Sequence, residues 1–381
     1  MHSTTFINDL RTRTIGGEPA PDCNPELWTR YQSLLDEGKL QWTAYQHFER
    51  VLGRGGQGVV YLSTRMGADG FALPVAIKVF SPERLGTQAV YDHAMAKIGR
   101  VASAVARIQH DGVLGVYDFI DRNRIRLMIM EWIDGYDLRE LQRMERLAQL
   151  RSRGTPERWE YLNDVVVTAG PVYARLKAGI AVAIVRDCLA ALAAMHRAGV
   201  VHGDIKPSNI MIKRTGSAKV IDFGSAFLMG NQPPIFTVTP AYAAPEVLEN
   251  APVTPRSDLA SLGYVLIELL SGRPCFGENE TYRQLMENKR MLPQRLHEIM
   301  PPEVSRNELL MSFCRGLIAP DPTRRFPSAE AAELLHEGAA AFHRQLVRSD
   351  LASEYDHDIR LWIEDLKRWD GESATSEPEE A

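Results

Sequence analysis

The most constraining stretch of this chain is His202-Gly203-Asp204-Ile205-Lys206-Pro207-Ser208-Asn209, which crowds a carboxylate, an ammonium and an amide into one loop. It follows the apolar-periodic stretch 179–198, and Asp222-Phe223-Gly224 closes the short strand expected at 219–221. Charged groups this close to apolar segments persist when they are paired or completed by a ligand. Phosphoryl transfer needs such a set. A carboxylate orients the attacking hydroxyl, carboxylate and amide oxygens hold magnesium, and a cation offsets charge on the phosphoryl oxygens. Asp204, Asn209, Asp222 and Lys206 could fill those roles. Any one of them could be an ordinary loop residue; their joint order carries the reading.

Upstream, Gly53-Arg54-Gly55-Gly56-Gln57-Gly58-Val59-Val60 fits G-x-G-x-x-G-x-V between expected strands at 48–52 and 59–63. Alone the motif is weak, because dinucleotide-binding folds share it, but there the loop runs into a helix. Here it runs into a strand, which favours a hairpin that covers a nucleotide, with glycines letting backbone pass close to phosphates. Val75-Ala76-Ile77-Lys78 sets a lysine on an apolar strand. Phosphates would pair it; the bland reading is a strand-end lysine in solvent.

These motifs sit in a chain whose texture changes along its length. Short strands at 48–52, 59–63, 75–80, 115–121 and 125–132 surround one helix at 88–108; helices then dominate at 179–198, 257–271 and 307–317. A strand-rich front lobe followed by a helical one is an α+β arrangement. The expected organisation is a flexible leader at 1–25, a helical extension at 26–47 and the main domain at 48–340. Within that domain the lobes divide at 134/135; a helical extension follows at 341–370 and an acidic disordered tail at 371–381. Residues 143–171 have weak periodicity and read as an insertion, and 328–347 and 350–369 read as helices. Leu27, Trp28, Tyr31, Leu34 and Leu35 form an apolar stripe, expected to pack on the domain, with partner docking as the alternative.

With a net charge of −5, the chain lacks the basic excess of a general nucleic-acid binder. Cys23, Cys188, Cys275 and Cys314 are far apart, which suits reduced thiols and a cytoplasmic setting. No membrane span is expected; the best apolar run, 262–270, is short and interrupted by Glu268.

Taken together, the residues from about Phe48 to about Leu335 resemble the eukaryotic-type serine/threonine protein kinase family. The resemblance implies a two-lobed kinase fold that uses ATP and Mg2+ and acts on serine or threonine of protein substrates. It implies that Lys78 contacts the α- and β-phosphates, Asp204 is the catalytic base and Lys206 contacts the γ-phosphate. Asn209 and Asp222 would bind magnesium. Gly53, Gly55 and Gly58 would cover the phosphates, Met130 would stand at the back of the pocket, and Glu131 to Ile133 would hydrogen-bond adenine. Asp137 would meet the ribose, and Val60, Ala76 and Met211 would sandwich the purine. Thr239 would face the substrate, Glu246 of Ala244-Pro245-Glu246 would pair with Arg325, and Asp258 would brace the catalytic loop.

The resemblance fails at two places. The small-lobe helix of the family carries a glutamate that pairs with the strand lysine; that position falls at or near Val101, and no glutamate lies between Glu83 and Glu131. Gly203 stands where most of the family has arginine. The missing glutamate motivates the alternative of a pseudokinase, a nucleotide-binding scaffold without turnover. A small-molecule kinase is the third reading, disfavoured by Glu246 and Arg325.

Overall fold

Alternating apolar positions build the front lobe. The computed structural model describes residues 13–15, 24–41, 45–232, 236–277, 279–348 and 355–374. The strands are β1 (Arg13–Ile15), β2 (Lys39–Gln41), β3 (Tyr45–Gly55), β4 (Gly58–Met66), β5 (Ala72–Phe80), β6 (Val116–Arg122) and β7 (Ile125–Glu131). All but β1 form one antiparallel sheet in the order β2-β3-β4-β5-β7-β6. Val75, Ile77 and Val79 on β5 and Ile125, Leu127 and Ile129 on β7 are buried, as central strands require. Helix α2 (Gln88–Val105), capped by Thr87, turns Tyr91, Met95, Val101, Ala102 and Val105 into the core.

The second lobe is mainly helical, around Ala178–Arg197 and Pro255–Ser271. Ala178–Arg197 is long and apolar enough to cross a membrane, yet 67% of its apolar window is buried inside the domain. It replaces 262–270 as the best candidate by composition, because its alanines are apolar without being bulky.

The extensions pack where their stripes predict. Helix α1 (Pro25–Glu37) is capped by Asn24, ends at left-handed Gly38, and buries Leu27, Tyr31 and Leu34. The helix expected at 350–369 is Tyr355–Ala374. Ile359, Trp362, Ile363, Leu366 and Trp369 are buried at helical spacing. Truncating a buried tryptophan such as Trp362 typically costs about 3–5 kcal/mol, so this helix belongs to the fold. Lys367 Nζ lies 2.7 Å from Asp134 Oδ1, and the Tyr136 hydroxyl donates to Asp370 at 2.5 Å. The helix thereby straps the connection between the lobes.

Five expectations change. Of the extension expected to be helical over 26–47, only the part in Pro25–Glu37 is helix; Lys39–Gln41 and the start of Tyr45–Gly55 are strands of the main sheet. The weakly periodic 143–171 contains two helices, Met144–Arg153 and Pro156–Val165. The helix expected at 328–347 is broken over 335–338 into Ala329–Leu334 and Ala339–Arg348; at Gly338 a side chain would come 2.5 Å from the Ala332 carbonyl, so the turn takes glycine there. Residues 371–374, expected in the disordered tail, continue the last helix; 375–381 lie outside the described residues. Most of the expected leader does too, but Arg13–Ile15 forms a strand.

Candidate active site

Strands β3 and β4 meet in a tight hairpin where Gly55 pairs with Gly58. Gly58 has φ +136°, and a Cβ there would stand 1.9 Å from the Val79 carbonyl oxygen, so no other residue fits. At Gly53 and Gly55 a Cβ would meet nothing within 4 Å. Their missing side chains relieve no clash within the protein; they leave room that a phosphate chain can use.

Lys78 sits on β5 between Val60 on β4 and Met128 on β7. It is only 6% exposed. Its Nζ donates to Asp222 Oδ1 at 2.5 Å and to Gln57 Oε1 at 2.8 Å. The glutamate position on α2 is filled by the buried Val101, and the acidic partner of the lysine is Asp222. Asp222 holds φ +64° and accepts from the Gly224 amide at 3.2 Å. Burial raises the Asp222 pKa, but the charge and hydrogen bond of Lys78, the charge of Lys206 and the Gly224 amide outweigh it and hold the carboxyl at about 2. One third of the Asp222 side chain remains exposed, so an oxygen of a permanently ionised carboxylate is accessible to a cation.

In the loop after helix Ala178–Arg197, Asp204 is the hub. Its Oδ1 accepts from the Thr239 hydroxyl at 2.8 Å, and its Oδ2 lies 2.8 Å from Lys206 Nζ and 3.2 Å from Asn209 Nδ2. Lys206 Nζ also donates to Thr239 Oγ1 at 3.1 Å, so one hydroxyl already stands between the carboxylate and the cation. Beneath them, Asp258 accepts from the backbone amides of His202 at 3.0 Å and Gly203 at 2.8 Å, and pairs with His196 at 2.8 Å. Burial raises the Asp258 pKa; His196, His202 and the Gly203 amide prevail and lower it. Gly203 has φ +76°, which disfavours the arginine common in the family. Glu246 and Arg325 form the expected pair through bonds of 2.7 Å to each carboxylate oxygen.

The expected purine and ribose residues come together through strand register. Ala76 pairs with Met130 on the neighbouring strand, and Met211 on Ile210–Lys213 pairs with Asp137 on Gly135–Asp137. Val60 and Met211 are partly buried and Ile133 is buried. The Glu131 carboxylate is taken by Lys219 at 2.6 Å and the Gly115 amide at 3.1 Å, and its own amide donates to the Gly115 carbonyl at 2.8 Å, so neither group is open to a base. Asp137 accepts from the Glu140 amide at 2.9 Å, and its pKa is raised, chiefly by burial.

Sequence reasoning missed Gln57 and Lys289. Gln57 lies at the hairpin tip, and a Cβ on Gly224 would come 1.9 Å from its Oε1; the amide spans Lys78 and the Asp222 turn. A phosphate that reaches Lys78 competes with this amide for the ammonium's donors. Gln57→Ala is therefore expected to tighten nucleotide binding roughly 2–10-fold, the worth of one such hydrogen bond. Titration of both proteins with ATP analogues checks this, and weaker binding by the variant would show that Gln57 helps to hold the ligand.

Lys289, on helix Tyr282–Ile299, is wholly buried. It donates to the Ala241 carbonyl at 2.9 Å and stands over the Tyr264 and Phe276 rings at 4.3 and 4.0 Å. Burial pushes its pKa well below the ordinary lysine range. It fixes the backbone of Thr239-Pro240-Ala241. The available signal was its place in the stripe Leu285, Lys289, Leu292, Leu296.

Residues 46–337 match the profile of the family described as Protein kinase domain. The chain is 33% identical over 292 residues to the Probable serine/threonine-protein kinase SCO3848 of Streptomyces coelicolor, covering 74% of this chain and 37% of that protein. It is 30% identical over 310 residues to Serine/threonine-protein kinase PknB of Mycolicibacterium smegmatis, covering 76% and 43%. It thus spans less than half the length of these curated relatives. The crystal structure of a double mutant of the Mycobacterium tuberculosis PknI kinase domain superposes with a TM-score of 0.54 at 25% identity, covering 79% of this chain and 95% of that one.

Proposed function

Because the chain belongs to the protein kinase domain family, we propose that it transfers the γ-phosphoryl group of ATP to serine and threonine hydroxyls of protein substrates. The observation that carries this reading is the hydroxyl of Thr239 held between Asp204 at 2.8 Å and Lys206 at 3.1 Å. A substrate hydroxyl taking up that position donates its proton to the Asp204 carboxylate as its oxygen bonds the γ-phosphorus. The bond from that phosphorus to the bridging oxygen breaks, and ADP leaves. Lys206 offsets charge on the transferring group, and Lys78 holds the α- and β-phosphates beneath the glycine hairpin.

The donor set fits magnesium. Asn209 and the ionised Asp222 supply hard oxygens, and such sites are completed by substrate phosphates. Among the described residues no group of three or more His, Cys, Asp or Glu gathers that could hold a metal ion by itself. When bound, the ion supplies positive charge beside the phosphates. Val60, Ala76 and Met211 receive the purine, the backbone from Glu131 to Ile133 its polar edge, and Asp137 the ribose.

The test is purified chain with labelled ATP and magnesium, alone and with a basic protein substrate, followed by phosphoamino-acid analysis. Label on serine or threonine is expected. Binding of nucleotide with no transfer would return the assignment to a scaffold.

A further inference from the structure

Helix Tyr355–Ala374 lies beyond residues 46–337, which match the family profile, yet its last turns hold the short strand that carries Asp137. Lys367 Nζ stands 4.7 Å from the centre of the Tyr136 ring, and Arg146 Cζ stands 5.1 Å from it. The Tyr136 hydroxyl donates to Asp370 Oδ2 at 2.5 Å, and Arg146 Nη1 donates to Asp370 Oδ1 at 2.6 Å. One residue before the strand, Asp134 Oδ1 lies 2.7 Å from the same Lys367 ammonium. Successive strand residues face opposite sides. Tyr136 pairs with the buried Ile212, whereas Asp137 pairs with Met211. The helix therefore grips one face of this strand, and the other face carries the residues assigned to ribose and purine.

We propose that Lys367 and Asp370 are positioning residues for the nucleotide: through Tyr136 they fix where Asp137 and Met211 stand, so this last helix sets the affinity for ATP. The proposal rests on the kinase reading, which assigns Asp137 to the ribose and Met211 to the purine. Its physical ground is the size of the strand. Gly135–Asp137 has three residues, none of them fully buried, and it pairs with one neighbour, Ile210–Lys213, at the edge of its sheet. So short an edge strand is held weakly by its own ladder, and a side chain it presents to a ligand must be fixed by groups behind it. The clasp on Tyr136 supplies that support through a charge-assisted hydrogen bond and two cations beside the ring. Lys367 adds a tie to Asp134, so one ammonium holds both the connection between the lobes and the ribose strand. Its side chain is 28% exposed and that of Asp134 33%. An ion pair this open to water adds little to global stability, which leaves local geometry as its main effect.

The experiment compares the full chain with Lys367→Met and Tyr136→Phe by titration with a non-hydrolysable ATP analogue, steady-state kinetics and thermal melts. Methionine keeps most of the apolar stem and removes the ammonium; phenylalanine keeps the ring and removes the hydroxyl. Each variant is expected to weaken analogue binding, and to raise KM for ATP, at least about threefold, the worth of one such bond. The kcat and the KM for protein substrate are expected to stay within about twofold of the parent, and the melting temperature within about 4 °C. Analogue affinity weakened less than about threefold in either variant overturns the proposal. So does a comparable rise in the KM for protein substrate, or a larger fall in melting temperature, since a residue that merely supports the fold would move these together. Titration needs no turnover, so the failures are distinguishable. A parent chain that binds the analogue but transfers no phosphate defeats the kinase reading alone, and the affinities of the variants still decide the role of the helix. A parent that binds no nucleotide defeats both.

Discussion

Replacing Asp204 with alanine is expected to lower kcat by about 10²–10⁴-fold while nucleotide affinity stays within a few-fold of the parent. The carboxylate is placed to act on the incoming hydroxyl, as the Thr239 contact at 2.8 Å illustrates. The nucleotide is met by other groups: Lys78, the glycine hairpin and the apolar residues Val60, Ala76 and Met211. Loss of the carboxylate therefore removes an interaction made chiefly in the transition state. A packing effect must be separated from a chemical one, because Asp204 is buried and also accepts from Asn209. Asp204→Asn answers this, since it preserves shape and an acceptor oxygen while removing the base. It should reproduce most of the rate loss with a melting temperature within about 2 °C of the parent, a shift of under 1 kcal/mol. Initial rates, nucleotide titrations and thermal melts on both variants check the expectation. Undiminished transfer by Asp204→Ala would remove Asp204 from the mechanism and the kinase assignment with it.

Residues whose chemistry is local were legible in the sequence. The loop from His202 to Asn209 and the Asp222 turn hold their spacing because strands and a helix on either side fix them, so linear order reports the geometry. The identity of the Lys78 partner was not legible. The sequence showed that the helix glutamate is absent, but Asp222 reaches Lys78 from a distant turn at 2.5 Å, and no periodicity encodes that approach. The helices Met144–Arg153 and Pro156–Val165 were hidden for a related reason. Their apolar stripes are thin, resting on Leu147, Leu150 and Leu162, and charge pairs tie them to the last helix, Arg146 to Asp370 and Arg158 to Asp365. Tertiary pairing thus supplies what a hydrophobic face would otherwise have announced. Strand β1 is too short to alternate, and its partner lies at the far side of the sequence. The break at Gly338, by contrast, carried a readable signal, since an isolated glycine inside a helical pattern marks a point of close approach.

Arg325→Ala is expected to destabilise the fold by about 3–5 kcal/mol, the usual consequence of stranding one member of a buried ion pair. The guanidinium has no exposed surface, and its donors are fully engaged. Two reach the Glu246 oxygens at 2.7 Å, and others bond the carbonyls of Ala319 at 2.7 Å, Arg256 at 2.9 Å and Pro320 at 3.2 Å. Alanine leaves those carbonyls without their donor and Glu246 with the Ser257 hydroxyl as its remaining bond. For a domain of this size the loss corresponds to a fall in melting temperature of roughly 10 °C. Arg325→Lys should recover little, because an ammonium cannot span both carboxylate oxygens and the carbonyls together. Adding Glu246→Ala to Arg325→Ala should recover part of the loss, because the carboxylate left unpaired is then removed. The effect on activity follows from position. Glu246 ends the segment that carries Thr239 and Ala241, so loosening it should raise KM for protein substrate more than it lowers nucleotide affinity. Thermal melts of the two single variants and the double, with substrate titrations, decide the point. A melting temperature within about 2 °C of the parent for Arg325→Ala would mean that the pair does not anchor this segment.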